Sequence, residues 1–252
     1  MKIFMFDIDG TLTPHRRPMT EDMVEFFLDF CKNNVVYLLT GSDWKKVQEQ
    51  VPPEILACVK GTFTCSGNDY RDSNGTLIYE KSFYPNPHLD AFLQGILEAS
   101  PYPIKAGRHI ENRPGMMNFS IVGRDCTHEQ REQYAKWDNI HQERSMIRDK
   151  IMSSFTGLDV AVGGQISVDI YPKGSDKSQA YHIIKEAHPQ ATILFFGDRL
   201  RYGGNDYPVY AAMVKSSHCF EGMPSKAPDF AYPVRDYKQT KETLEGFFQE
   251  KN

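Results

Sequence analysis

The sequence predicts an α/β protein in which a doubly wound parallel sheet carries a second, inserted α/β domain. Three observations support this fold class. At both ends of the chain, short apolar runs typical of strands buried on both faces alternate with segments of helical periodicity. The middle of the chain instead combines a long charged segment with strands of alternating polarity. Acidic residues also follow two of the buried runs directly, where ligands bind in open α/β sheets.

The first 80 residues predict the order strand, helix, strand, helix, strand. Residues 3–6 form a buried strand, and a helix with apolar residues at helical spacing begins after Thr20. A second buried strand, "NVVYLL", ends in Thr40-Gly41-Ser42 and precedes the helical segment "DWKKVQEQV". The segment "ACVKGTFTCSGND" then suits a third strand and a loop. This alternation is typical of a parallel sheet.

The pattern changes between residues 81 and 175. A proline-bounded helix is predicted first, and "GMMNFSIVG" alternates as a half-buried strand would. The segment "EQREQYAKWDNIHQERSMIRDKIMSSF" predicts one long charged helix, and "DVAVGGQISVDIYP" alternates again. From residue 176 the first pattern returns, with a helix and the buried strand "ATILFFGD". We therefore predict a catalytic core at residues 1–80 and 176–252, with a cap domain at 81–175.

Composition limits the functions that the chain can have. Its 252 residues are 40% hydrophobic and 25% charged, which is enough to bury a core. The formal net charge of −4 argues against a nucleic-acid partner, because such binding needs a basic surface. We expect no membrane contact either, since no apolar run approaches the roughly 20 residues that span a bilayer and the N-terminus lacks a signal-peptide pattern.

The cysteines predict the compartment. The chain has five cysteines, and no two of them form a C-x-x-C pair: Cys31, Cys58, Cys65, Cys126 and Cys219. Neither a disulfide framework nor a zinc site is therefore indicated. Because free thiols suit a reducing environment, we expect a cytoplasmic protein.

Four groups of polar residues are expected to converge at one edge of the core sheet. They are the Asp7/Asp9 pair, Thr40-Gly41-Ser42, Lys177 and Asp198. Carboxylates gathered in this way repel one another unless a cation holds them together, and hard oxygen ligands suit Mg²⁺. A hydroxyl, a lysine and glycine-rich backbone amides would add a binding site for a phosphate. The pattern therefore predicts magnesium-dependent chemistry on a phosphate.

The strand followed by D-x-D-G-T-L-T, with a later Thr/Ser, Lys and Gly-Asp, resembles the haloacid dehalogenase-like superfamily of aspartate-based phosphotransferases. The strings "ENRPGMMNFSIVGR", "GGQISVDIYPKGSDK" and "FFGDRLRYGGND" are similar to the eukaryotic-type phosphomannomutases in particular. This resemblance implies a Rossmann-like core with an inserted α/β cap. It also implies the interconversion of mannose 6-phosphate and mannose 1-phosphate for GDP-mannose synthesis, primed by a hexose 1,6-bisphosphate, and a homodimer formed through the cap.

The resemblance also implies catalytic and metal-binding roles for particular residues. Asp7 would be the nucleophile that forms an aspartyl phosphate, and Asp9 would be the general acid and base. Mg²⁺ would be held by Asp7, Asp198 and the backbone carbonyl of Asp9. Asn205 and Asp206 would support the metal loop.

Substrate binding is implied for eight side chains: Arg16, Ser42, Arg113, Arg124, Arg131, Ser167, Asp169 and Lys177. Ser42 and Lys177 would hold the phosphate that is transferred, and the four arginines would bind the other phosphate. Ser167 and Asp169 would reach this second phosphate and the sugar hydroxyls. The planar fork of arginine suits phosphate better than the point charge of lysine does.

Two other functions remain open at this point. A sugar-phosphate phosphatase would use the same core, with water taking the phosphate from Asp7. A non-catalytic sugar-phosphate sensor is disfavoured, because binding alone needs no nucleophile. The preference for mannose over glucose is also open, since Ser175 and Tyr202 depart from the residues expected in the family, and "TFTCSGNDY" stands where a Glu-Asn-Gly-type loop is expected.

Several of these residues also have plain structural interpretations. Arg113 and Arg124 suit solvated turns, and Arg131 suits the exposed face of a charged helix. His15 is interpreted as a solvated side chain rather than a base, because a lone histidine beside a turn is usually exposed.

Overall fold

The computed structural model of the protein describes residues 1–218 and 229–249, which form two β-sheets covered by helices. Cys219 lies outside these residues. The fold confirms the predicted class, because one sheet is mainly parallel and the other is antiparallel. No helix in the described ranges combines the length and the apolar character that crossing a bilayer requires.

The core sheet contains seven strands, numbered in chain order: β1 (Lys2–Phe6), β2 (Val35–Leu39), β3 (Gly61–Thr64), β4 (Asp69–Asp72), β5 (Leu77–Glu80), β10 (Thr192–Gly197) and β11 (Phe230–Pro233). Their order across the sheet is β11-β10-β1-β2-β3-β4-β5. The first five in this order are parallel, and β4 and β5 form an antiparallel hairpin at one edge. The carboxyl ends of β1, β2 and β10 therefore meet at one edge of the sheet.

Helices cover both faces of the core sheet. They are α1 (Glu21–Asn33), α2 (Trp44–Gln50), α3 (Pro53–Cys58), α7 (Ser178–Ala187), α8 (Tyr207–His218) and α9 (Tyr237–Gln249). Side chains of β1 alternate between the faces: Phe4 and Phe6 pack toward α1, whereas Ile3 and Met5 pack toward α7. Each fully buried side chain of this size contributes about 1.5–3 kcal/mol. Burial on both faces explains why the strand reads as a continuous apolar run.

The second sheet contains four strands in the order β6-β7-β9-β8: β6 (Ile110–Arg113), β7 (Met116–Phe119), β8 (Leu158–Gly163) and β9 (Ser167–Pro172). All their pairings are antiparallel. Three helices pack on it: α4 (Pro87–Ala99), α5 (His128–His141) and α6 (Glu143–Ser154). Leu93, Tyr134 and Ile151 lie in the apolar core between the helices and the sheet. This core is separate from the two cores of the first sheet.

The predicted long charged helix is wrong, because the chain breaks it into α5 and α6. Gln142 adopts a left-handed conformation with φ 54°, which ends one helix and begins the next. Arg144 then folds back and donates from Nε to Asp138 Oδ2 at 2.8 Å. A charge pattern shows the helical periodicity on both sides of such a break but not the break itself.

Two further strand predictions need correction, and three strands were missed. The segment that begins at Ala57 lies partly in α3, so the third strand is shorter than expected. All four residues of β7 are buried, although half were expected to face solvent. The hairpin of β4 and β5 and the edge strand β11 were not predicted. Edge strands are half exposed and carry polar residues, which weakens the apolar pattern that marks central strands.

Candidate active site

The candidate active site lies at the carboxyl ends of β1, β2 and β10. Asp7, Thr40 and Asp198 each follow one of these strands directly. Gly10 turns the chain back after β1 with φ +86°, and a Cβ there would come within 2.8 Å of Asp198 Oδ2. The glycine of the D-x-D-G motif is therefore required both by the left-handed turn and by the close approach of a carboxylate.

Lys177 is the buried centre of the charge network beneath the site. Its Nζ donates to Asp7 Oδ1 at 2.6 Å and to Asp206 Oδ1 at 2.7 Å. Burial by itself lowers the pKa of Lys177, but the two carboxylates raise it overall, so the ammonium keeps its charge. The lysine thereby fixes the orientation of the Asp7 carboxyl group.

Three carboxyl groups form a candidate metal site. Asp7, Asp198 and Asp206 each offer an oxygen, and these oxygens lie within 4.8 Å of one another. Burial raises the pKa of Asp7 well above its ordinary value. Burial and the charge of Asp206 also raise the pKa of Asp198 to about 7. Lys177 pairs with Asp7 and Asp206, and Arg199 Nε lies 3.2 Å from Asp198 Oδ2. A divalent cation would further reduce the repulsion among the three carboxyl groups, and this set of hard oxygen donors fits Mg²⁺.

Asp9 is bound by donors of the core rather than by Lys177. The backbone N–H of Arg16 and Nε2 of Gln50 donate to Oδ1 at 2.6 and 2.9 Å, and Ser42 Oγ donates to Oδ2 at 3.2 Å. Burial acts to raise the pKa of Asp9, but the hydrogen bonds from Arg16 and Gln50 and the charge of Arg16 lower it overall. Asp9 is therefore a carboxylate that can accept a proton. Gln50, the last residue of α2, was not predicted.

The segment Thr40-Gly41-Ser42 is braced from the neighbouring loop. Ser66 N–H donates to the carbonyl of Thr40, and Cys65 N–H donates to that of Ser42, both at 2.9 Å. Cys65 and Ser66 adopt positive φ values of 49° and 59° to do so. This loop belongs to the segment "TFTCSGNDY", where a Glu-Asn-Gly-type loop was expected from the sequence. Its residues do not line the cleft but support the segment that does.

The arginines of the second sheet form a pair around one carboxylate. Arg113 and Arg124 approach Glu111 Oε2 at 2.6 and 2.9 Å, and each side chain is only 5% exposed. Glu111 raises the pKa of Arg113 despite burial, whereas burial and the charge of Arg113 lower the pKa of Arg124 to about 10. Both arginines remain charged at neutral pH. Their interpretation as solvated turn residues is therefore wrong.

Two further arginines extend this positive cluster. Arg131 lies on α5 and is buried, so its interpretation as an exposed helix residue is also wrong. The guanidinium of Arg16 lies 3.5 Å from Ser42 Oγ, and Arg113 donates from Nη1 to the carbonyl of Gly41 at 2.8 Å. The positive cluster thus contacts the segment Thr40-Gly41-Ser42 of the core. Its excess of positive charge suits an anion.

Arg113, Arg124 and Arg131 are called the arginine wall of the cleft, which polar residues on β7 and β9 also line. Arg124 Nη1 donates to Ser167 Oγ at 3.3 Å, and Asn118 Nδ2 donates to Asp169 Oδ1 at 2.6 Å. Burial raises the pKa of Asp169. Gly163 lies next to Asp169, and only a glycine fits there because a Cβ would lie 2.4 Å from the Asp169 carboxylate. Asn118 was not predicted, although a single amide within the buried run "MMNF" is a signal that could have indicated it.

His15 is not the solvated residue that the sequence suggested. Its Nε2 lies 3.6 Å from Asp198 Oδ2, and 25% of the side chain is exposed. The turn at Gly10 causes this placement, because Gly10 N–H donates to the carbonyl of Thr13 and folds the following residues over the cleft. Burial lowers the pKa of His15.

The structure brings most of the predicted site residues into one cleft. Lys177 and Asp206 lie buried beneath it. The predicted residues that line the cleft are Asp7, Asp9, Arg16, Ser42, Arg113, Arg124, Arg131, Ser167, Asp169, Asp198 and Asn205.

The sequence is similar to those of known proteins over most of its length. The sequence profile of the eukaryotic phosphomannomutases matches residues 23–227. The phosphomannomutase of Dendrobium officinale is 36% identical over 216 residues, which cover 82% of this chain and 84% of that protein. The probable phosphomannomutase of Caenorhabditis elegans is 34% identical over 231 residues, covering 87% of this chain and 90% of that protein.

Solved structures share the fold at low sequence identity. The IMP-bound IMP-nucleotidase of Plasmodium falciparum aligns with a TM-score of 0.62 at 14% identity, covering 99% of this chain and 68% of that chain. A haloacid dehalogenase-like hydrolase from Bacteroides thetaiotaomicron aligns with a TM-score of 0.56 at 14% identity, covering 98% and 99% of the two chains. The chain therefore has a haloacid dehalogenase-like fold.

Proposed function

The chain belongs to the eukaryotic phosphomannomutase family, and we propose from this premise that it interconverts mannose 6-phosphate and mannose 1-phosphate. One observation carries the proposal: a carboxylate cluster and an arginine cluster lie on opposite sides of one cleft. The first suits phosphoryl transfer assisted by a cation, and the second binds a phosphate that does not react. The family relationship also favours a mutase over the phosphatase that the sequence left open.

Asp7 acts as the nucleophile in this proposal. A carboxylate oxygen attacks phosphorus, the bond between phosphorus and the sugar oxygen breaks, and an aspartyl phosphate remains. Lys177 fixes Asp7 Oδ1 at 2.6 Å, which directs the other oxygen to the incoming phosphate. When bound by Asp7, Asp198 and Asp206, Mg²⁺ would supply the positive charge that reduces repulsion between the carboxylate and the phosphate.

Asp9 transfers the protons. In the step from phosphoenzyme to bisphosphate, the Asp9 carboxylate takes the proton of the attacking sugar hydroxyl while the phosphate moves from Asp7 to that oxygen. In the reverse type of step, protonated Asp9 returns the proton to the departing sugar oxygen. The lowered pKa of Asp9 keeps it ionised, which suits its role as the base that takes the proton of the sugar hydroxyl. The cycle begins with this step once Asp7 is phosphorylated.

The arginine wall accounts for the mutase activity. A mutase accepts its sugar in two orientations, so the phosphate that does not react must be bound whichever ring carbon carries it. Arg113 and Arg124, held by Glu111, provide a fixed pair of guanidinium groups for that phosphate. Ser167 and Asp169 lie beside them and would contact the sugar hydroxyls.

Several finer properties of the proposal rest on the family resemblance. They are dependence on Mg²⁺, activation by a hexose 1,6-bisphosphate, a homodimer formed through the second sheet and its helices, and a place in GDP-mannose synthesis. Location in the cytoplasm rests on the scattered free cysteines. The expected absence of nucleic-acid and membrane partners rests on charge and hydropathy.

A coupled assay with mannose 1-phosphate tests the function. Isomerisation is measured with and without a hexose 1,6-bisphosphate, and free phosphate is measured in parallel. We expect isomerisation that requires the bisphosphate and little release of phosphate. Release of phosphate as fast as isomerisation would establish a phosphatase, and binding without either reaction would establish a sensor.

A further inference from the structure

Two surface depressions adjoin the catalytic cleft. Each shares residues with it: the first shares His15 and Gln165, and the second shares His15 and Asp198. The first is called the acidic depression, because its other ionisable residues are Arg17, Glu21, Asp22, His128 and Glu132. The second is called the arginine depression, because it is lined by Arg144, Arg148, Arg199, Arg201 and Arg235. Its acidic residues are Asp138 and Asp198 alone.

Two arginines of the arginine depression have no carboxylate partner in the described part of the chain. These are Arg201 and Arg235, and both are exposed. Arg235 donates from Nε to Gln239 Oε1 at 3.1 Å, which leaves its terminal nitrogens for other acceptors. The remaining arginines are paired with carboxylates: Arg144 with Asp138, Arg148 with Asp149 and Arg199 with Asp198.

The topology explains why these two arginines lie beside the catalytic cleft. Arg201 follows β10 and Arg235 follows β11, and these strands are parallel neighbours in the core sheet. Both side chains therefore project from the sheet edge that also carries Asp7. The chain as a whole is acidic, with a formal net charge of −4. The unpaired positive charge of the arginine depression is therefore confined to this part of the surface.

We propose that the arginine depression binds phosphorylated sugars on their way into the catalytic cleft, with Arg201 and Arg235 contacting the phosphate. The identity of the ligand as a sugar phosphate rests on the proposed function. A depression lined by charge of one sign raises the local concentration of an oppositely charged ligand and its rate of association. The acidic depression repels the same ligand. Phosphates therefore enter past Arg201 and Arg235 and reach the cleft where His15 and Asp198 border both spaces.

A double variant with a charge-matched control tests this inference. Arg201→Gln with Arg235→Gln removes two positive charges from the depression. Lys2→Gln with Lys60→Gln removes two exposed positive charges near the amino ends of β1 and β3, at the opposite edge of the sheet. We measure kcat and kcat/KM for mannose 1-phosphate over a range of salt concentrations. The thermal unfolding midpoint of each protein checks that it is folded.

The arginine variant is expected to lose roughly 3- to 10-fold in kcat/KM at low ionic strength, with the loss shrinking as salt screens the charges. Its kcat should stay unchanged, and the lysine variant should match the wild type. An equal loss in both variants, a loss in kcat, or no loss in the arginine variant would overturn the inference.

A second measurement separates this inference from the proposed function. The association rate of mannose 1-phosphate is followed by stopped-flow protein fluorescence, which does not depend on turnover. Slower association in the arginine variant supports the depression as a binding site even if the wild type fails to isomerise the sugar, a result that would refute only the proposed function. Equal association rates in both variants would refute only the role of the depression.

Discussion

The core side and the second-sheet side of the cleft carry opposite charges, and on each side two like charges surround one opposite charge. At the end of the core sheet, Asp7 and Asp206 lie around one lysine. On the second sheet, Arg113 and Arg124 lie around one glutamate. In each case a single counter-charge holds two like charges in place without neutralising them. Each of these groups therefore has an excess of one sign, which suits a cation in the first case and an anion in the second.

The two sides also differ in what their backbone fixes. Asp7 and Asp198 lie on turns just after parallel strands, whereas Asn118 and Asp169 lie within paired antiparallel strands. The proposed nucleophile and metal ligand therefore lie where the chain can approach a ligand closely. The proposed sugar-binding residue Asp169 is held instead by the strand pairing of the second sheet. Four experiments test this difference between the two sides.

Removing the nucleophile should have the largest effect. Asp7→Asn keeps the shape of the side chain but cannot form an aspartyl phosphate, so turnover should fall by roughly 10⁴-fold or more. Binding of mannose 1-phosphate, measured by calorimetry, should persist because the arginine wall is intact. Asp125→Asn, an exposed carboxyl group outside the cleft, is the control. Near-normal turnover in Asp7→Asn would refute the division between a reacting side and a binding side.

Asp9→Asn should have the next largest effect. General acid–base groups typically contribute about 10²- to 10⁴-fold, and Asp9 is proposed to act in both half-reactions. Formation and breakdown of the phosphoenzyme, measured by rapid quench, should therefore both slow by this factor. Slowing of only one of the two steps would assign the other proton transfer to a different residue.

Changing the arginine wall should reduce specificity for the sugar phosphate. A charge-assisted hydrogen bond contributes about 1.5–3 kcal/mol, so Arg124→Gln should lower kcat/KM for mannose 1-phosphate roughly 10- to 100-fold. Activity on a small aryl phosphate without a second anion should stay the same. Arg108→Gln, whose side chain is 68% exposed, is the control. Equal losses on both substrates would mean that the wall serves folding or the reacting phosphate.

The smallest expected effect is on stability. Folding raises the pKa of Asp7, and raises that of Asp198 from about 4 to about 7. The folded state therefore holds its protons more tightly, and stability should fall as the pH rises through that interval. Because Mg²⁺ binds the ionised carboxylates, it should raise the unfolding temperature by a few degrees more at pH 8 than at pH 6.

Thermal unfolding at the two pH values, with and without Mg²⁺, provides the measurement. Asp198→Asn should abolish most of the difference. A stabilisation by Mg²⁺ that is the same at pH 6 and pH 8 would show that these carboxyl groups do not bind the metal.

The sequence predicted the site better where a group follows a buried strand than where it lies on a surface of the second sheet. Asp7 and Asp198 stood out because each is an acidic residue directly after an apolar run. The structure places their carboxyl groups close together. Glu111 and Gln50 gave no comparable signal. A glutamate in an exposed-looking strand and a glutamine at a helix end are ordinary residues until their partners are known.

The amino-acid sequence was enough to predict the fold class, the sequence of central core strands and helices along the chain, and the motif that carries Asp7 and Asp9. Periodicity and strand ends are local properties, so a single chain segment contains them. The order of the strands across the sheet and the pairing of the charges became known only from the folded chain. Lys177 meets Asp7 across 170 positions of sequence, and Gln50 meets Asp9 across 41. Which buried charge finds which partner depends on packing, because a charge removed from water is stabilised only by the groups that the fold brings to it.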